Sequence, residues 1–336
     1  MKSKVLIVGE AGVNHNGDIK TAKKLIDIAA EAGVDYVKFQ TFKANELVTK
    51  KAKQADYQEK NTKDFDNQYE MLKRLELDEQ SHQLLIKYCN TKGVKFLSTG
   101  FDLGSLDFLY KIGIRLAKIP SGEITNYPYL KKVAELFPKV IMSTGMSSLE
   151  DIRIALNILL KFGLQKEDII ILHCNTEYPT AMKDVNLKAM LHIKKEFGIE
   201  VGYSDHTLGI EVAIAAVSLG AVVIEKHFTT DRNLSGPDHR ASLEPKELRS
   251  MVKSIRNIEE SLSGSGMKEV SESELKNQPV VRKSIVAITP IAKGEVFNSK
   301  NIGTKRPGTG ISPIEWEKVI GRISKNNFEP DELIRL

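Results

Sequence analysis

Short apolar, β-branched runs recur along the chain at Val5–Gly9, Asp35–Gln40, Val94–Ser98, Arg115–Ile119, Val140–Ser143, Ile169–His173, Ile199–Tyr203 and Val222–Glu225. Their length and their Val and Ile content predict strands. Between them lie longer segments whose apolar positions fall three and four residues apart, such as Ile19–Ala32, Asp78–Lys92, Leu149–Phe162 and Ile210–Leu219, which predict helices. Gly33, Gly93, Gly163 and Gly220 stand where these helices should end, as a left-handed C-cap requires. Near-continuous apolar strands, each followed by a helix, indicate a parallel sheet covered on both faces. Eight such units in succession have the count and length of an α/β fold of the (β/α)8, or TIM, barrel type.

The alternation occupies residues 1–262. Within it a polar insertion from about Phe42 to Lys73, rich in Lys, Gln, Asn and Asp, separates the second strand from its helix and is expected to act as a lid or an oligomer contact. Residues 263–279, with Ser-Gly-Ser-Gly near the start, read as a linker. Residues 280–336 form a small β-rich domain, with a strand around Ser284–Ala287 and turns at Lys293-Gly294 and Pro307-Gly308. A piece this small is marginally stable alone, so it is expected to dock on the barrel or on a second subunit.

Composition narrows the function classes. With 336 residues, 41% hydrophobic and 28% charged, the chain is ordinary globular material, and disordered or fibrous readings are excluded. A net charge of only +5, spread along the chain, suits a small anion better than a nucleic-acid groove. Two cysteines, Cys89 and Cys174, make neither a disulfide framework nor a paired-thiolate zinc site, which suggests a cytoplasmic setting. The apolar run Val5–Val8 is too short for a signal-peptide core, and no later run is long enough to span a membrane.

In a barrel of this kind the chemistry gathers at the C-terminal strand ends. Here those positions are polar. Lys38 and Lys118 sit inside apolar strand sequence, and converging ammonium groups imply an anionic ligand, although a structural ion pair or a Schiff-base lysine would use the same residues. Ser121-Gly122 and Ser143-Thr144-Gly145 add the hydroxyl and N–H donors of a phosphate or carboxylate cradle. His206 and His227 close the neighbouring seventh and eighth strands, near enough for both imidazoles to reach one divalent ion. On barrel closure Glu10, at the end of the first strand, lies beside the eighth and is a candidate general base or outer-shell carboxylate. His15, in an Asn-Gly turn, Asp238, on the loop after strand eight, and Arg306, in the small domain, are weaker candidates with ordinary structural uses.

The motifs Glu10-Ala-Gly-Val-Asn-His-Asn-Gly17, Val37-Lys-Phe-Gln-Thr41, Lys118-Ile-Pro-Ser-Gly-Glu123, Ser143-Thr-Gly-Met146, Gly202-Tyr-Ser-Asp-His-Thr207, Glu225-Lys-His-Phe-Thr229 and Ser235-Gly-Pro-Asp238 together resemble the sialic acid synthase family. With Lys305-Arg-Pro-Gly308 the likeness extends over the whole chain. It implies a TIM barrel fused to an antifreeze-protein-like (SAF) domain, a domain-swapped homodimer, and condensation of phosphoenolpyruvate with an N-acetylated amino sugar to give a nine-carbon acid and phosphate. By motif, Lys38, Thr99, Lys118, Ser121, Ser143 and Asn175 would hold phosphoenolpyruvate. Gln40, Glu123, Tyr178 and Asp238 would contact the sugar, Arg306 would reach its acetamido group from the partner subunit, and His206 and His227 would bind Mn²⁺ or Mg²⁺. Glu10 would assist the attacking water, and Lys38 and Lys118 would favour departure of phosphate. Two positions depart from the family: Asn175 stands one residue earlier than the usual asparagine, and Gly100 occupies a common proline position.

N-acetylmannosamine is the expected acceptor, giving N-acetylneuraminate. The alternative within the family is 2,4-diacetamido-2,4,6-trideoxymannose, giving N,N'-diacetyllegionaminate, since the motifs do not report on the sugar's C4 and C6 substituents. A metal-dependent aldolase or sugar isomerase would use the same histidines without the phosphate cradle. A carbohydrate- or ice-binding module, suggested by the small domain alone, would leave both lysines and both histidines without a role.

Overall fold

The computed structural model describes residues 4–62 and 67–336. Eight parallel strands, β1 (Leu6–Gly12), β2 (Tyr36–Thr41), β3 (Lys95–Gly100), β4 (Leu116–Ile119), β5 (Lys139–Ser143), β6 (Ile169–Cys174), β7 (Glu200–Asp205) and β8 (Val223–His227), bond in the order β3-β2-β1-β8-β7-β6-β5-β4. β3 and β4, at the two ends of that order, pack side by side and close the barrel. Most strands run further at their C-terminal ends than their apolar runs predict, continuing through Glu10, Thr99, Cys174, Ser204, Asp205, Lys226 and His227. The reason is tertiary: parallel ladders pair these polar residues, as in Glu10 opposite His227, whatever their intrinsic preference.

The outer ring is formed by α1 (Ile19–Ala32), α5 (Glu79–Lys92), α6 (Leu103–Lys111), α7 (Tyr127–Leu136), α8 (Leu149–Lys161), α9 (Ala189–Phe197), α10 (Glu211–Ser218) and α11 (Pro245–Ser261), while α2 (Ala44–Leu47), α3 (Asp56–Asn61) and α4 (Gln68–Leu75) lie in the insertion after β2. α1 shows why such a segment starts and stops where it does. Asp18 caps its first turn by accepting from the N–H groups of Lys20 and Thr21, and Gly33 ends it at φ 79°, which a residue with a Cβ rarely adopts. Its buried face, Ala22, Leu25, Ile26 and Ala29, belongs to the large core between helices and barrel.

Inside the barrel the period of two separates a plug from a reactive layer. Val8, Leu97, Ile141, Leu172 and Val223 form a dry apolar plug, with Tyr36 and Leu116 packed against it. Two residues further along each strand come Glu10, Thr99, Ser143, Cys174 and Glu225, with Lys38 and Lys118, all lining one cavity. Gly202 in β7 completes the plug by lacking a side chain, since a Cβ there would lie 2.3 Å from the Val223 carbonyl oxygen and 2.6 Å from a Leu172 methyl.

The residues 264–336 form a second compact unit. It begins with an exposed stretch that includes the helical turns α12 (Glu272–Leu275), within the segment expected as a linker, and α13 (Gln278–Val281), which runs two residues past that segment's expected end. The antiparallel pair β9 (Ser284–Ala287) and β10 (Ile302–Lys305) encloses a small core of Ile285, Ala287, Ile291, Phe297, Ile302, Val319, Phe328 and Ile334. Among the described residues no helix is long and apolar enough to cross a membrane.

Between Glu225 and His227, Lys226 points to the opposite face of β8. Its Nζ lies 2.9 Å from Asp205 Oδ2 and donates to the Thr207 carbonyl at 2.5 Å, and both charged side chains are fully buried. Replacing one partner strands the other charge in a dry environment. Lys226→Met is therefore expected to destabilise the barrel by about 3–5 kcal/mol, read as a lower urea midpoint; an unchanged midpoint would refute this assignment.

Candidate active site

The barrel mouth opens into a cavity of about 480 Å³ whose floor is the reactive layer. Lys38 Nζ lies 2.6 Å from Glu10 Oε2, 3.5 Å from Glu225 Oε2 and 2.9 Å from Thr99 Oγ1. Lys118 Nζ lies 3.4 Å from Glu225 Oε1 and donates to Ser143 Oγ at 2.8 Å. Glu225 thus joins the two ammonium groups, and Ser204 steadies it by donating to Oε1 at 3.0 Å. Ser121 Oγ accepts from the N–H of Gly145 at 2.9 Å, so the two expected cradle segments meet directly. At Gly145 the approach is close: an added Cβ would sit 2.5 Å from the Thr176 methyl and 2.9 Å from Ser121 Oγ.

Burial separates the behaviour of the two carboxylates. Loss of solvent pushes Glu10 up to about 7, with Lys38 opposing and Glu225 reinforcing the rise. Glu225 feels the same loss, yet Lys118 and Lys38 outweigh it and hold its carboxyl below the usual range. Burial likewise depresses Lys118, whereas in Lys38 it is overcome by Glu10 and Glu225, which raise that ammonium's pKa. The floor therefore holds one firmly ionised carboxylate between two lysines, and a second that exchanges its proton near neutrality.

The rim carries the imidazoles. His206 and His227 have ring centroids 5.6 Å apart, and Tyr178 stacks on His206 at 4.1 Å while meeting His227 edge-on at 5.7 Å. Burial lowers His206 to about 4 and His227 well below its ordinary value, so both rings are neutral near pH 7. His206 Nδ1 donates to the Asn175 carbonyl at 2.5 Å, which leaves the lone pair on Nε2. His227 Nδ1 is buried without a hydrogen-bond partner, and Asp238 Oδ2 stands 3.9 Å from it. Two neutral imidazoles, one of them orphaned, fit two positions around a divalent cation. No group of three or more His, Cys, Asp or Glu side chains among the described residues is arranged to hold a metal, so water or substrate oxygens would fill the rest.

Gln40, Glu123, Tyr178 and Asp238 all line the cavity, as do Glu10, Lys38, Thr99, Lys118, Ser121, Ser143, His206 and His227. Burial raises Asp238 to about 6. Asn175 does not join them. Its side-chain oxygen accepts from the Glu177 N–H at 2.8 Å in a local turn, and the residue serves the site through its backbone carbonyl to His206. Arg306 belongs to the unit 264–336, where its Nε donates to the Val281 carbonyl at 2.8 Å. His15 is buried outside the cavity lining, its Nδ1 accepting from the Gly17 N–H. Glu225 and Tyr57 are among the cavity residues to which the sequence reading gave no role. Glu225 carried a signal, since it lies two residues before His227 and so faces the same way. Tyr57, stacked on Tyr178 at 5.1 Å, comes from the insertion and had none.

Known proteins resemble this chain along most of its length. The NeuB family model matches residues 25–268 and the SAF domain model residues 282–336. A protein named N,N'-diacetyllegionaminic acid synthase from Campylobacter jejuni subsp. jejuni serotype O:2 is 54% identical over 332 residues, 99% of each chain. Another of that name, from Legionella pneumophila, is 49% identical over 323 residues, 95% of this chain and 90% of its own. The crystal structure of N-acetylneuraminic acid (sialic acid) synthetase from Leptospira borgpetersenii serovar Hardjo-bovis in complex with citrate superposes with a TM-score of 0.71 at 35% identity, covering 82% of this chain and 90% of that one. On a match that covers the barrel from within α1 onward and a second that covers the small domain, the chain belongs to the NeuB family, the sialic acid synthases, and carries a SAF domain at its C-terminal end.

Proposed function

We propose that the protein condenses phosphoenolpyruvate with open-chain 2,4-diacetamido-2,4,6-trideoxymannose and water, giving N,N'-diacetyllegionaminate and phosphate. The observation that carries the reaction type is the floor of the cavity, where Lys38 and Lys118 are bridged by Glu225 beneath two neutral imidazoles. An aldolase or isomerase acting on an unphosphorylated sugar would not need such an anion cradle. The sugar differs from the N-acetylmannosamine expected from the motifs, and the change is supported by the names of the two relatives at 54% and 49% identity.

Lys38, Lys118, Thr99, Ser121 and Ser143 bind the phosphate and carboxylate of phosphoenolpyruvate and hold its C3 toward the sugar aldehyde. His206 and His227 would hold Mn²⁺ or Mg²⁺, which supplies Lewis-acid polarisation of the aldehyde oxygen when bound. Gln40, Glu123, Tyr178 and Asp238 orient the open chain, and Arg306 of the partner subunit in a domain-swapped homodimer meets its acetamido group. As C3 bonds to the aldehyde carbon, positive charge develops at C2, and the carboxylates of Glu10 and Glu225 stabilise it. Water then adds to C2, and Glu10 accepts its proton. Collapse of the tetrahedral centre breaks the C–O bond to phosphate. The water oxygen becomes the product ketone, one water proton ends on the new hydroxyl and the other on phosphate. Lys38 and Lys118 neutralise the departing phosphate.

Phosphate release measured with phosphoenolpyruvate, Mn²⁺ and either sugar is expected to show a higher kcat/KM for the diacetamido sugar; a preference for N-acetylmannosamine overturns the specificity, and release with neither overturns the reaction. Because Glu10 must be ionised to take a proton and titrates at about 7, activity is expected to fall as pH drops through about 7. Glu10→Gln should lose about 10²–10⁴-fold in kcat and remove that acidic limb, whereas an unaltered limb would assign it to another group. Dialysis against EDTA is expected to abolish turnover and Mn²⁺ to restore it; undiminished activity rules out the metal.

A further inference from the structure

We propose that the insertion after β2 is the specificity element of the site, with Leu47, Val48, Tyr57 and Leu72 reading the C4 and C6 substituents of the sugar acceptor. This rests on the reading of the cavity as a phosphoenolpyruvate-dependent sugar-acid synthase. The reacting aldehyde must lie between the lysines, which β2 and β4 bring to the floor, and the imidazoles, which stand at the rim just past β7 and at the end of β8. The rest of the sugar chain then leads away from the floor, toward the wall that the insertion builds.

Ring contacts trace that direction. Tyr178 stacks on His206 at 4.1 Å and Tyr57 on Tyr178 at 5.1 Å, so Tyr57 lies two aromatic contacts out from the imidazole. Beside it, Leu47, Val48 and Leu72 are half-buried and line the cavity, backed by Met71 and Leu75, which are buried against Val13 and Phe42. None of the described insertion residues lining the cavity carries a charge. A wall of this kind gains by burying methyl groups and loses by desolvating hydroxyls. A 6-deoxy carbon and the methyl of a 4-acetamido group supply the first, while the 4- and 6-hydroxyls of N-acetylmannosamine supply the second. Tyr57, Gln58 and Gln68 are the polar exceptions among these lining residues; Gln68 donates to Gln58 at 3.3 Å, and the Tyr57 hydroxyl is the group assigned to the acetamido carbonyl.

The test compares kcat/KM for 2,4-diacetamido-2,4,6-trideoxymannose and for N-acetylmannosamine in the full-length protein and in Leu72→Gln, Leu47→Gln and Tyr57→Phe, with the KM for phosphoenolpyruvate read alongside. Each variant is expected to lower the ratio of the two values, by about tenfold for the leucines, while the phosphoenolpyruvate KM stays at its original value. Tyr57→Phe removes only a hydroxyl and keeps the test alive if a leucine variant fails to fold. An unchanged ratio in variants that fold overturns the role of the insertion and leaves the synthase reading intact. Phosphate release with neither sugar in the unmodified protein overturns both.

Discussion

Two ammonium groups and two carboxylates stand on a dry apolar plug inside the barrel, and they are stable there only because they neutralise one another. A lone ion in such a place costs several kcal/mol, far more than the ~0–1 kcal/mol an exposed ion pair returns. Lys38, Lys118, Glu10 and Glu225 therefore have to be read as one unit. The same unit sets the electrostatics of the cavity floor: two lysines stand without solvent against carboxylate partners, and one carboxylate is left with a proton affinity near neutrality.

That unit depends in turn on the alternation of the strands. Val8, Leu97, Ile141, Leu172 and Val223 exclude water from below, and the residues two places on face the cavity because strand side chains repeat every second position. Gly202 admits its neighbours into the plug, and the buried Lys226–Asp205 pair ties the ends of β7 and β8 together on the opposite face. The Thr207 carbonyl, held by Lys226, adjoins His206, so a buried charge braces the backbone next to the imidazole.

The histidine rim shows a division of labour between backbone and side chain. Asn175 orients His206 with its carbonyl and spends its side chain on a local turn, so a motif position one residue out of register with the family still serves the site. Tyr178 contacts both imidazoles and passes the contact outward to Tyr57, which connects the histidine rim to the insertion. Floor, rim and wall are thereby built from different sequence segments with different demands: charge balance at the floor, a fixed tautomer at the rim and apolar contact at the wall.

The eight strands, their order of polar ends and the residues Glu10, Lys38, Lys118, His206 and His227 were legible in the sequence, because apolar runs, helical spacing and capping glycines are local properties of the chain. The extension of β1, β7 and β8 through polar residues was not, since cross-strand pairing overrides local preference there. Nor was the bridging place of Glu225, which exists only when β8 closes beside β1 and faces β2 and β4 across the barrel. The turning of the Asn175 side chain away from the cavity and the arrival of Tyr57 from an insertion with no periodic signal were likewise decided by packing. Sequence alone determined which groups the protein has and on which strands they stand; the tertiary structure decided which charges meet, because charge neutralisation and ring stacking act between segments far apart along the chain.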